Sequence, residues 1–75
     1  EDIALMRSIP NMTVVVPADA VSTENAVEAI YKHQGPVYLR LGRPGVPVIY
    51  DDKYPFEIGK STKLTDGRDA AVIAT

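Results

Sequence analysis

The 75-residue chain has no cysteine and no tryptophan, and His33 is its single histidine. Without cysteine there can be no disulfide bond and no thiolate metal site, and one histidine cannot complete a zinc site. The same absence favours a reduced, cytoplasmic setting. The net charge of −2 argues against nucleic acid or an anionic membrane surface as the main partner. No apolar run approaches the roughly 18 residues that a membrane span needs, which leaves a small globular unit.

Familiar catalytic motifs are also missing. The glycines of Gly42-x-x-Gly45 lead into a proline rather than a helix start, so they do not form a phosphate-cradling loop. The three serines fall on a predicted helix end, a helix start and a hairpin, which argues against a hydrolytic triad with His33. His33 is more simply interpreted as a solvated or capping residue at a helix end. We therefore predict no catalytic residue in this chain.

A metal site is not indicated either. Asp51 and Asp52 are adjacent carboxylates, which point apart, and no third oxygen ligand accompanies them. Their position in a proline-rich segment favours a solvated turn over a metal site. We predict no metal-binding residue in this chain.

The first half of the chain predicts a strand–helix–strand unit preceded by a short helix. Acidic Glu1 and Asp2 suit a first helical turn, and Pro10 ends that helix near Ser8. "MTVVV" and "VYLRL" are short apolar runs typical of parallel strands covered on both faces. Asp19 is a suitable N-cap for the helix between them, and Tyr31 is expected in the core. Its predicted buried face comprises Thr23, Ala26, Val27, Ile30 and Tyr31. The strand residues expected to be buried are Val14, Val15, Val16, Val37, Leu39 and Leu41.

The second half changes in composition. Five glycines and prolines fall between Gly42 and Pro55, which predicts a linker rather than a core element. Beyond it, we predict a short strand near Glu57–Lys60, a turn at Asp66–Gly67 and a buried strand at Ala70–Thr75. A chain ending in so apolar a strand would leave an unpaired edge, so we expect a piece of a longer protein.

Two arginines stand at the end of the second predicted strand and require separate interpretations. Arg40 alternates with Leu39 and Leu41 and is expected to reach an edge or form a structural ion pair. Arg43 follows the strand, at the edge where open parallel α/β sheets bind ligands. Its planar, two-pronged donor suits a phosphate or carboxylate. From the residues alone, anion binding and an interdomain salt bridge both remain open.

Three segments resemble the transketolase family: "EDIALMRSIPNMTVVVPADA", "GPVYLRLGRP" and "FEIGKSTKLTDGRDAAVIAT". They are most similar to the C-terminal section of transketolases, including forms in which that section is a separate subunit. The resemblance implies an α/β fold. Residues 1–43 would end a parallel-sheet thiamine diphosphate-binding (pyrimidine) domain, 44–55 would be an interdomain linker, and 56–75 would start a second α/β domain.

The resemblance also implies a role for Arg43. In the family, an arginine in an "SRQ"-like segment after this strand binds the phosphate of the sugar phosphate, and "GRP" places Arg43 on that position. Gly42 replaces the family's serine, and Pro44-Gly45 replaces a polar pair, but the arginine between them is kept. Arg40 has no such match.

As implied by the resemblance, the parent enzyme transfers a two-carbon ketol unit between sugar phosphates in the pentose phosphate pathway. It uses thiamine diphosphate and Mg²⁺, but the residues that bind and activate them lie outside this chain, which is expected to be inactive alone. The expected protein partner is a second copy in a homodimer or an N-terminal transketolase subunit. The alternatives are a non-catalytic scaffold or dimer-contact fragment, or a piece of a deoxyxylulose phosphate synthase or a 2-oxo acid dehydrogenase beta subunit.

Overall fold

A computed structural model describes all of residues 1–75 as a small α/β structure built on two parallel strands. The elements in chain order are α1 (Asp2–Arg7), β1 (Thr13–Val15), α2 (Ala20–Lys32) and β2 (Val37–Leu39). Thr13, Val14 and Val15 pair in register with Val37, Tyr38 and Leu39. The predicted parallel pair with a helical crossover is confirmed. No helix in the chain has the length and apolar character to cross a bilayer.

Helix α1 begins and ends where the local sequence places its boundaries. Asp2 lies in its first turn, where a negative charge suits the helix dipole. Ser8 is the C-cap, and its hydroxyl donates to the carbonyl oxygen of Leu5 at 2.7 Å. Asn11 then takes a left-handed conformation with φ 62°, which asparagine tolerates better than most residues. This tight turn brings α1 against β1.

Helix α2 buries only part of the face predicted for it, which includes Ala26 but not Ser22. Ser22 and Ala26, one helical turn apart, are its buried residues. Val27 is exposed and Tyr31 is 90% exposed, so the prediction that both belong to the core is wrong. A helix on a two-stranded sheet contacts it along a narrow stripe, and no element of the chain covers the neighbouring stripe that carries Val27 and Tyr31.

The hydrophobic core is correspondingly small. Val15 at 6% exposure and Ala26 at 0% are its buried apolar residues. Four of the other predicted core positions are only half-buried: Val14, Val16, Val37 and Leu39. Leu41 is exposed, because β2 ends at Leu39 and the chain leaves the sheet there. The prediction of a fully covered strand pair is therefore correct at Val15 and wrong for the other strand residues.

Residues 40–75 contain no helix or strand. The strand predicted near Glu57–Lys60 is instead a turn, in which the amide of Lys60 donates to the carbonyl of Glu57 at 3.2 Å and Gly59 has φ 89°. The predicted strand at Ala70–Thr75 is also absent, and no hairpin forms at Asp66–Gly67. A strand is stabilised by pairing with a neighbour, and neither segment has one here.

Candidate functional site

The carboxyl edge of the sheet is where the predicted site should lie. Since β1 and β2 are parallel, the segments that follow them, Val16–Asp19 and Arg40–Arg43, leave from the same edge. The amide of Arg40 donates to the carbonyl of Val15 at 2.9 Å, so the strand pairing continues one residue beyond β2. Ligands of open parallel sheets bind outside this edge, which makes it the candidate functional site.

Arg40 is held by an acidic partner, as predicted for a structural ion pair. Its Nε donates to Oδ2 of Asp2 at 2.9 Å, and the Tyr38 hydroxyl donates to the same oxygen at 2.8 Å. The hydrogen bond from Tyr38, and then the bond and charge of Arg40, hold the pKa of Asp2 below its usual value despite partial burial. Both charged side chains are less than half exposed. This group ties the start of α1 to the end of β2 and leaves Arg40 engaged.

Arg43 differs from Arg40 in every one of these respects. It lies in an exposed bend after β2, and it takes part in no ion pair within the chain. Gly42 beside it has no side chain to obstruct an approaching ligand. An exposed guanidinium with five donors and no internal acceptor can form a two-pronged contact with a phosphate or carboxylate.

Asp19 is the N-cap of α2 and lies at the carboxyl edge of the sheet, shortly after β1 ends. Its Oδ1 accepts from the amide and from the hydroxyl of Ser22, both at 2.7 Å, and the Ser22 hydroxyl also accepts from the Asp19 amide at 3.0 Å. The predicted N-cap is confirmed as a reciprocal capping box. Burial to 3% exposure opposes ionisation. The hydrogen bonds from Ser22, Tyr50 and Ile49 outweigh it and hold the pKa of Asp19 well below its usual range.

The second oxygen of Asp19 has a role that local sequence patterns did not reveal. Oδ2 accepts from the backbone amides of Ile49 at 2.8 Å and Tyr50 at 2.9 Å. Farther along the same helix, the Asn25 side chain donates to the carbonyl of Tyr54 at 3.1 Å. The segment 49–54 is therefore fastened to α2 at both ends. These contacts join residues that are far apart in the chain, and no sequence motif marks them.

Aromatic side chains stiffen the same segment. The rings of Tyr50 and Tyr54 stack at 3.8 Å between centroids with an interplanar angle of 15°, and Phe56 meets Tyr54 edge-on at 6.4 Å. The Tyr54 hydroxyl and the Thr62 hydroxyl are 2.7 Å apart. A depression of about 630 Å³ borders this stack. It is open to solvent and would bury little of a ligand's surface, so the carboxyl edge remains the better candidate site.

The other polar residues singled out from the sequence have structural surroundings. His33 is the C-cap of α2, and its Nε2 lies 3.2 Å from the Thr13 hydroxyl; the ring is half-buried rather than fully solvated. Asp51 accepts from the amide of Lys53 at 2.9 Å within an exposed turn, which is the turn predicted for the Asp51–Asp52 pair. No cluster of three or more His, Cys, Asp or Glu residues could hold a metal ion.

Comparison with known proteins relates the chain to one family. Residues 1–48 match the model of the family described as "Transketolase, pyrimidine binding domain". The whole chain is 49% identical to a "Putative uncharacterized transketolase family protein" of Sinorhizobium fredii and 47% identical to a "Putative transketolase C-terminal section" of Methanocaldococcus jannaschii. Over 97% of the chain it is 42% identical to a subunit of an apulose-4-phosphate transketolase of Phocaeicola vulgatus.

These similarities extend over a limited part of each relative. The chain spans 22% of the length of the S. fredii protein and 24% of each of the other two. No solved structure matches the chain. The match places residues 1–48 in a pyrimidine-binding domain, and the site at the sheet edge falls within that range.

Proposed function

Because the chain belongs to the family of transketolase pyrimidine-binding domains, we propose that it forms part of a thiamine diphosphate-dependent transketolase. That enzyme transfers a two-carbon ketol unit between sugar phosphates, and Arg43 binds the phosphate group of the substrate. The observation that carries this proposal is the contrast at the end of β2. Arg40 is engaged by Asp2 at 2.9 Å, whereas Arg43 is exposed and has no partner.

The chemistry of the guanidinium supports phosphate as the ligand of Arg43. A sugar phosphate carries its charge at one end, on oxygens whose spacing matches the paired N–H groups of arginine. Gly42 leaves room for such a group beside the backbone. The site on this chain would therefore fix the charged end of the substrate and leave its reacting end to the rest of the enzyme.

The chain's residues do not fit the metal-bound diphosphate of the cofactor. Mg²⁺ requires oxygen ligands, often carboxylates, and the chain has no cluster of acidic residues that could supply them. We therefore assign the metal and diphosphate to other parts of the enzyme. On this view, residues 1–75 alone have no ketol transferase activity, even with added thiamine diphosphate and Mg²⁺.

The partner of this chain in the enzyme is proposed to be an N-terminal transketolase subunit or a second copy of the same subunit. The names of two relatives support a divided enzyme, since one is a "C-terminal section" and the other is a transketolase subunit. Residues 1–43 would then complete the pyrimidine-binding domain, 44–55 the linker, and 56–75 the start of a second domain. Hydrogen exchange in the complete enzyme would test this division, because a second domain should protect the amides of Ala70–Ala74.

Replacement of Arg43 by alanine in the complete enzyme tests the proposed phosphate site. A hydrogen bond to a charged group contributes about 1.5–3 kcal/mol, which corresponds to roughly tenfold to more than a hundredfold in kcat/KM. We expect a loss of that size for phosphorylated ketoses and a much smaller one for unphosphorylated ketoses. Arg43→Lys should recover only part of it, since a point charge lacks the two-pronged geometry.

Arg40→Ala is the matched control, because it removes the neighbouring cation that the structure pairs with Asp2. This variant should lower the thermal stability slightly and leave the preference for phosphorylated substrates unchanged. Equal losses on both substrate classes in Arg43→Ala, with the fold intact, would favour an interdomain salt bridge over phosphate binding.

A further inference from the structure

We propose that Asp19 is a positioning residue for Arg43, which it serves by fastening the far end of the loop that carries this arginine. The inference rests on the proposed phosphate role of Arg43 and adds to it. It assigns to Asp19 a function in substrate selection besides the capping of α2.

The loop in question comprises residues 41–48. All eight are exposed, and none of them donates or accepts a hydrogen bond with another part of the chain. Proline at positions 44 and 47 limits the local dihedrals, but nothing within the loop fixes its course. The position of Arg43 therefore depends on where the two ends of the loop are held.

The near end of the loop is held at Arg40. Its amide donates to the carbonyl of Val15 on β1 at 2.9 Å, a backbone hydrogen bond that does not depend on the Arg40 side chain. The far end is held by Asp19, whose Oδ2 accepts from the consecutive amides of Ile49 and Tyr50 at 2.8 and 2.9 Å. The two attachments join the ends of the loop to β1 and to the start of α2, so the loop lies at the carboxyl edge of the sheet.

A carboxylate is the side chain that can make both sets of contacts at Asp19. Oδ1 is committed to the amide and hydroxyl of Ser22, and Oδ2 to the two linker amides. Asparagine and serine cap helices about as well as aspartate, but each has a single side-chain oxygen. The buried position, at 3% exposure, strengthens these charge-assisted bonds by excluding water.

The test uses the complete enzyme and the ratio of kcat/KM for a phosphorylated ketose to that for its unphosphorylated counterpart. In Asp19→Asn, a side-chain NH2 group takes the place of Oδ2, and it is a donor like the backbone N–H groups of Ile49 and Tyr50 that it faces. The far end of the loop should therefore be released, while the remaining side-chain oxygen still caps α2. We expect the ratio to fall about threefold to tenfold, mainly through KM for the phosphorylated ketose. Asp19→Ser should have the same effect and serves as the second variant if the first does not fold.

Ser22→Ala is the matched control. It removes the hydroxyl from the capping box but leaves Oδ2 and its linker contacts in place. It should therefore lower the thermal stability without changing the substrate ratio. A fall in the ratio equal to that in Asp19→Asn would show that any weakening of the α2 start has this effect and would overturn the inference.

The double variant Asp19→Asn/Arg43→Ala separates this inference from the proposed function. If Asp19 acts through Arg43, the double variant has the same ratio as Arg43→Ala alone. An unchanged ratio in Arg43→Ala overturns the phosphate role itself. A lowered ratio in Arg43→Ala with an unchanged ratio in both Asp19 variants overturns only the positioning role of Asp19.

Discussion

Two apolar segments of similar composition differ in structure: one forms a partly buried strand, and the other forms no strand and is exposed. "TVVV" at residues 13–16 contributes β1, pairs with β2 and contains the buried Val15. "AVIA" at residues 71–74 forms no strand, and its Val72 and Ile73 are each 91% exposed. The difference lies in the surroundings rather than in the residues, because β1 pairs with β2 and contacts α1.

The comparison shows how much of a strand's stability comes from its neighbours. β propensity measures how well a side chain fits a pleated, half-buried surface, rather than an intrinsic preference of the backbone. The surface for residues 13–16 is supplied by β2, which pairs with β1, and by α1, which contacts it. The surface for residues 71–74 must be supplied by residues that do not pair with them here.

The largest expected effect comes from placing the same charge in both segments. Val15→Asp buries an unpaired carboxylate in the core and should destabilise the sheet by more than about 3 kcal/mol. Val72→Asp adds the charge to an exposed residue and should change stability by less than about 0.5 kcal/mol. Amide hydrogen exchange of β1 and β2 in the 75-residue chain measures the change in stability of each variant. Loss of protection in the Val72 variant would mean that the second segment supports the sheet after all.

An intermediate effect is expected from lowering the pH, which protonates Asp19 in the packed half of the chain, the half that contains the helices and strands. Its pKa is lowered in the folded state, so the unfolded chain binds the extra proton first. The stabilisation by Asp19 is therefore complete above the unfolded pKa of about 3.9 and is lost as the pH falls through the folded value. Thermal unfolding of the complete enzyme and of Asp19→Asn should differ at about pH 7 and converge in acid. A difference that persists unchanged well below the unfolded pKa would contradict this.

The smallest effect is expected from ion pairs in the two halves. Asp2→Asn weakens the half-exposed contact with Arg40, whereas Asp66→Asn weakens the contact of Asp66 with Lys63, whose side chains are far more exposed. We expect a small drop in melting temperature for the first, reduced at about 1 M salt, and none for the second. Equal drops in melting temperature for the two variants would contradict the difference between the packed half and the exposed half of the chain.

The features that the sequence predicted correctly are those with local causes. The ends of α1 follow from Asp2 and Pro10, and the start of α2 follows from Asp19, because caps and proline effects act within a few residues. The parallel pairing follows from two short apolar runs joined by a helix. Each of these predictions needed only a short window of sequence.

The features that the sequence did not predict depend on contacts between distant residues. Neither the contact of Asp19 with the amides of Ile49 and Tyr50 nor the contact of Asn25 with Tyr54 has a local signal. The exposure of Tyr31 depends on how few strands α2 has to cover. Arg43 was identified by its place after β2 and by a family resemblance, and its phosphate role stays a prediction.

Equilibrium binding to the complete enzyme tests the central claim about Arg43 most directly, since it involves no turnover. The ligands are a non-reactive sugar alcohol phosphate and the same sugar alcohol without phosphate, titrated into the wild type and Arg43→Ala by calorimetry. We predict that the wild type prefers the phosphorylated ligand by about tenfold or more and that the variant loses most of this preference. An undiminished preference in a correctly folded Arg43→Ala enzyme would contradict the account.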